Sequence, residues 1–245
     1  MLEVTDLRKS FGSLIVTDGV SLSIAAGARE AVIGPNGAGK TTFFNLLSGE
    51  LRPDAGTIAL GGRDITGLAP NRRVKAGLAR SFQRNNLFLD MTVEESLATA
   101  CAVSDGVASV FWRSFASAGR VHARAAELAE RVGLADHLPV QVRHLSYGSQ
   151  RQLEIALALA ARPSLLLLDE PTAGMSPEET KSMQHLVASL PRDITLLLIE
   201  HDMDVVFDLC DRITVLDYGK VLLQGRPAEI RQSALVREIY LGEAG

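Results

Sequence analysis

Cysteine is scarce: the 245 residues hold two, Cys101 and Cys210, far apart and in no Cys-x-x-Cys pair. That argues against a disulfide framework and fits a reducing compartment, with both residues read as buried thiols. Long apolar runs are missing too. Those at 165–168 and 196–199 fall well short of the roughly 18 residues a membrane helix needs, so any membrane this chain serves must be spanned by other chains. The first residues, Met1-Leu2-Glu3-Val4-Thr5-Asp6, alternate apolar and polar with no cationic head before an apolar core. A secretory signal is therefore not expected, and a cytosolic setting is. Positive charge is not in excess either: the net charge is −4. The basic footprint of a general nucleic-acid binder is lacking, and nucleic acid is not expected as a partner.

The chain is long enough for one large domain or two small ones. Residues 2–33 read as short strands broken by Gly12, Asp18-Gly19 and Ala26-Gly27, and the last strand runs into a glycine-rich loop. A helix over 40–48 follows, with Gly49 placed as its C-cap. Turn residues then bracket a strand at 57–60. From about residue 88 to 143 the strand pattern gives way to helical segments, notably 93–103 and 120–132. After that, strands at 165–168, 194–199 and 212–216 alternate with helices over 177–190 and from 203. Strands this uniformly apolar imply a mainly parallel sheet buried on both faces. Ser176, Pro177 and Glu179 form a capping box at the start of the helix over 177–190.

Two stretches carry chemistry. Gly34-Pro35-Asn36-Gly37-Ala38-Gly39-Lys40-Thr41-Thr42 matches the phosphate-binding loop pattern, and it follows an apolar strand and opens a helix, the context that pattern requires. Its glycines let successive backbone N–H groups turn toward phosphate, and the helix dipole adds positive potential there. Lys40 is expected to neutralise the β and γ phosphates, and Thr41 to ligate Mg²⁺. The second stretch is 165–170, an apolar strand ending in Asp169 and Glu170, which project from the strand's C-terminal edge, where open α/β sheets bind ligands. Asp169 is expected to hold Mg²⁺, and Glu170 to orient and deprotonate a water attacking the γ phosphate.

Together with Gln83 in Ser81-Phe82-Gln83, Leu145-Ser146-Tyr147-Gly148-Ser149-Gln150 and His201, these stretches resemble the ordered motif set of the ATP-binding cassette ATPases, nearly end to end. The resemblance implies an α/β fold: a P-loop NTPase (RecA-like) core with an N-terminal antiparallel β subdomain and an inserted α-helical subdomain. Core and β subdomain are expected at 1–87 and 151–245, and the helical insert at about 88–150. It implies that Gln83 reaches Mg²⁺ and water, that His201 contacts the γ phosphate, and that Ser146 and Gly148 bind the γ phosphate of ATP held by a partner cassette, with the helix from about Gln150 pointing at that anion. Phe11 stands where the family puts an aromatic on adenine; a core Phe is the other reading. Phe111-Trp112-Arg113-Ser114-Phe115 either packs the helical insert or grips a membrane subunit.

Two departures stand out. Tyr147 and Ser149 occupy the third and fifth places of a loop that is most often Leu-Ser-Gly-Gly-Gln, and Ser149 removes a side-chain amide that usually orders it. Ala173-Gly174-Met175-Ser176 lacks the terminal carboxylate of the family's corresponding loop, leaving Ser176 either a helix cap or a catalytic contributor. Residues 79–83, 87–95, 199–203 and 239–244 look most like the branched-chain amino acid or urea and amide importer ATPases. The expected cofactors are ATP and Mg²⁺. The expected partners are a second ATPase subunit, transmembrane permease subunits and, indirectly, a periplasmic or extracellular substrate-binding protein, with the chain on the cytoplasmic face of the membrane. A soluble, non-transport cassette ATPase is the alternative of another class.

Overall fold

The computed structural model describes residues 1–81, 87–106 and 114–241. Along the chain run β1 (Leu2–Phe11), β2 (Leu14–Ile24), β3 (Arg29–Ile33), α1 (Lys40–Ser48), β4 (Ala55–Leu60), β5 (Arg63–Asp64), α2 (Pro70–Lys75) and β6 (Leu78–Arg80). Next come α3 (Val93–Ser104), α4 (Ser114–Arg131), α5 (Tyr147–Ala160), β7 (Leu165–Asp169), α6 (Pro177–Ser189), β8 (Thr195–Ile199), α7 (Met203–Leu209), β9 (Arg212–Asp217), β10 (Lys220–Gly225), α8 (Pro227–Gln232) and α9 (Ala234–Leu241). They form two units: one of residues 1–80, 164–170 and 191–245, the other of 81–163 and 171–190.

The first unit holds two sheets. One is antiparallel, in the order β2-β1-β4-β5; the other runs β10-β9-β3-β8-β7-β6 and is parallel except for β10. The core lies between them around α1, whose Phe43, Phe44, Leu46 and Leu47 are fully buried in one apolar cluster with Leu2 and Ile58 of the first sheet and Leu165 and Leu197 of the second. Burial of each such side chain contributes about 1.5–3 kcal/mol. The second strand is longer than the glycine positions suggested, because register shifts against β1 let β2 continue through 18–19 as a bulged strand.

Arg73 is the largest side chain in this core and is only 1% exposed. Its guanidinium donates to the carbonyls of Leu46 and Leu47, at 2.7 Å each, and to those of Thr66 and Leu68 at 2.8 and 3.0 Å. One cation thereby satisfies carbonyls in the last turn of α1 that the helix itself leaves open.

The second unit is helical among its described residues. It extends past the limits of 88–150 expected from sequence, because α5 packs on α3 and α4, and α6 packs on α5. The capping box of α6 is present: Glu179 N–H donates to Ser176 Oγ at 3.3 Å, and Ser176 N–H to Glu179 Oε2 at 3.0 Å. Among the described residues no helix is long and apolar enough to cross a membrane.

Candidate functional site

The parallel sheet brings its C-terminal strand ends together. The loop 34–39 follows β3, Asp169 ends β7 with Glu170 just after it, and His201 lies two residues past β8, the strand between them. These ends border a cleft of about 220 Å³ lined by Val16, Glu170, His201 and residues 36–42.

Gly39 shows why the loop needs its glycines. It takes a left-handed conformation with φ 94°, and a Cβ there would stand 2.4 Å from the Val16 carbonyl oxygen. No side chain caps the start of α1 and no acidic residue sits in its first turn, so the helix presents its positive end to the cleft uncompensated. Lys40 is buried, its ammonium donating to the Gly34 and Pro35 carbonyls at 2.6 and 2.9 Å. Cation, backbone donors and dipole converge on one concavity, an arrangement suited to a polyphosphate.

On the opposite side, Glu170 Oε1 lies 2.8 Å from His201 Nε2. Glu170 has φ 49°, a left-handed conformation that costs a residue with a side chain on the order of 1 kcal/mol or more, and its N–H is held by the Ile199 carbonyl at 2.9 Å. The strand register thus spends conformational energy at the point where a carboxylate meets an imidazole. Asp169 is fully buried; its Oδ2 accepts from Arg80 at 2.6 Å, while Oδ1 has no hydrogen-bond partner among the described residues. A buried orphan carboxylate oxygen is the donor type that a hard cation or its hydrating water takes.

Phe11 is not a core residue: it is 48% exposed at the end of β1, with the Lys9 ammonium 5.7 Å from its ring centre, and it does not line the cleft. Gln83 and residues 111–113 lie outside the described residues.

Ser146 and Gly148 border a different cleft, of about 270 Å³, which includes Ser149, Glu179 and Met183. The helix here starts at Tyr147, earlier than expected from sequence, because Ser146 is its N-cap: its Oγ accepts from the Ser149 N–H at 3.1 Å. Residues 147–149 therefore form a helical first turn. The amide missing at Ser149 is supplied one residue later, since the Gln150 side chain donates to the Val142 and Leu145 carbonyls at 3.3 Å each. Tyr147 Oη accepts from Arg151 at 2.9 and 3.1 Å.

Sequence reasoning missed a second function of Glu179. Besides closing the capping box, its Oε1 accepts the Gly148 N–H at 3.1 Å. Hydrogen bonds from Ser176 and Gly148 hold this carboxyl below the usual carboxylate range. A Cβ on Gly148 would lie 2.8 Å from that oxygen, so glycine is needed for the approach. Arg80 was also missed; the one sequence signal was a cation closing an otherwise apolar strand.

Comparison with known proteins agrees with this geometry. The ABC transporter family model matches residues 17–173. The chain is 42% identical to the high-affinity branched-chain amino acid transport ATP-binding protein LivG of Salmonella typhimurium, over 100% of its own length and 98% of the relative's. It is 40% identical, with the same coverage, to BraF of Pseudomonas aeruginosa, which carries the same description. A crystal structure of the ADP conformation of MJ1267, an ATP-binding cassette of an ABC transporter, superposes with a TM-score of 0.86 at 29% identity, covering 99% of this chain and 98% of that one. The chain belongs to the ABC transporter family.

Proposed function

We propose that this chain is the ATP-hydrolysing subunit of a bacterial importer of branched-chain amino acids. It acts at the cytoplasmic face of the membrane with a second ATPase subunit, transmembrane permease subunits and an external substrate-binding protein. The observation that carries the ATPase reading is the pairing of Glu170 with His201 across the cleft from Lys40. The cargo rests on the full-length likeness to LivG and BraF.

Residues 34–42 cradle the phosphates, and Lys40 turns its ammonium from the loop carbonyls to the β and γ phosphates. Glu170 orients a water for in-line attack on the γ phosphorus and accepts its proton as the bond to the leaving ADP oxygen breaks. His201, hydrogen-bonded to Glu170, fixes that carboxylate and donates toward the γ phosphate. Thr41, Asp169 and Gln83 are the residues that would hold Mg²⁺, which would supply charge neutralisation to the phosphates. Phe11 offers an exposed ring for adenine. Ser146 and Gly148 complete the partner's site.

Lys40→Ala should abolish ATP binding, whereas Glu170→Gln should keep binding and slow hydrolysis by at least about 100-fold. Retained hydrolysis in Glu170→Gln overturns the assigned base. The complex copurified with its permeases should take up leucine at the expense of ATP; a complex that hydrolyses ATP yet moves no leucine overturns the cargo.

A further inference from the structure

Arg80 has been given no role of its own above, yet its side chain joins Asp169 to the helix α1 that follows the phosphate loop. It closes β6, pairing with Leu167 two residues before Asp169. Its side chain is 7% exposed and faces the fully buried Asp169. One terminal nitrogen donates to Asp169 Oδ2 at 2.6 Å; the other donates to Asn45 Oδ1 at 2.6 Å and Ser48 Oγ at 3.3 Å and lies 3.4 Å from Glu50 Oε2. The guanidinium carbon stands 5.9 Å from the centre of the Phe44 ring. Phe44, Asn45 and Ser48 all belong to α1, the helix opened by Lys40 and Thr41.

A planar fork with two prongs on different elements fixes their separation, which a single point charge on a flexible stem does not. The prong on Asp169 engages one oxygen only, and among the described residues the other oxygen has no hydrogen-bond partner. A carboxylate pinned at one oxygen cannot rotate away, and the free oxygen keeps a set direction.

We propose that Arg80 is a positioning residue for metal-dependent nucleotide binding: it braces Asp169 against α1 and leaves Oδ1 for the magnesium and its water shell. Orientation of a metal-binding carboxylate by a residue behind it typically accounts for 10- to 100-fold in metal affinity. This assignment rests on the ATP-binding reading above.

The test measures AMP-PNP affinity by calorimetry with and without Mg²⁺, the ratio of the two being the readout. Phosphate cradling by Lys40 and the loop sets the metal-free affinity, so Arg80→Met should leave that value near wild type and shrink the Mg²⁺ ratio by about 10- to 100-fold. Arg80→Lys keeps the charge without the fork and should lose most of the ratio too. An undiminished ratio in Arg80→Met, or full rescue by lysine, overturns the positioning role. Should Arg80→Met fail to bind AMP-PNP even without metal, the double variant Asn45→Ala/Ser48→Ala decides, because it removes both hydrogen bonds of the far prong to α1 and retains the ion pair with Asp169: a reduced ratio is expected, and an unchanged one overturns the proposal. Wild-type chain that binds no AMP-PNP under either condition instead refutes the ATP-binding reading.

Discussion

Glu30 sits in the middle of β3, four residues before the phosphate loop, 5% exposed, and paired in register with Leu197 on one side and Arg212 on the other. Burial pushes its carboxyl up to about 7; Arg212 pulls the other way and Asp211 adds to the rise. An acid raised in the folded state binds its proton there over a range where the unfolded chain has lost it. Stability therefore falls as pH climbs from about 4.5 to about 7 and is flat beyond. At 1.36 kcal/mol per pH unit, that interval corresponds to a loss of about 3 kcal/mol. Glu30→Gln has no such proton to lose. Urea unfolding of both proteins at several pH values between 5 and 8 isolates the effect, because all other titrating groups cancel in the difference. The variant's advantage should grow toward about 3 kcal/mol as pH rises to about 7 and level off from there to pH 8. A difference that stays constant with pH, or shrinks as pH rises, refutes the reasoning.

Arg73→Met should destabilise the chain by about 4 kcal/mol in urea unfolding, since four carbonyls lose a donor at about 1 kcal/mol each; a loss below 1 kcal/mol would mean that water replaces the guanidinium. Gly148→Ala should leave the melting temperature within a few degrees of wild type while depressing turnover of the assembled complex, because the new methyl displaces the Glu179 carboxylate from the Gly148 N–H. Wild-type turnover in that variant would mean the contact is dispensable.

What could be read from the sequence was local. The phosphate loop, the run 165–170 and the capping box at Ser176 are governed by neighbours a few residues away, so the spacing alone locates α1, β7 and the start of α6. The unread features join distant segments. Arg80 meets Asp169 across 89 positions, and Gly148 meets Glu179 across 31. Neither pairing leaves a periodicity, and a lone arginine after Leu78-Ala79 looks like a strand end reaching solvent. The helical unit was drawn short for the same reason: α5 and α6 carry apolar faces whose partners only the packed chain reveals. Ser149 looked like a lost amide until the Gln150 side chain was seen to reach the same stretch of loop.

The hold of Glu179 on Gly148 bears on how easily two cassettes part. On the role proposed for Gly148, a phosphate reaching this turn from a second subunit would find the N–H already given to a carboxylate, and contact would exchange one charge-assisted hydrogen bond for another. The net gain would be a small difference between two similar terms. Glu179 would then reclaim the donor as the pair opens, so the same turn that accepts a partner's phosphate also carries the group that releases it.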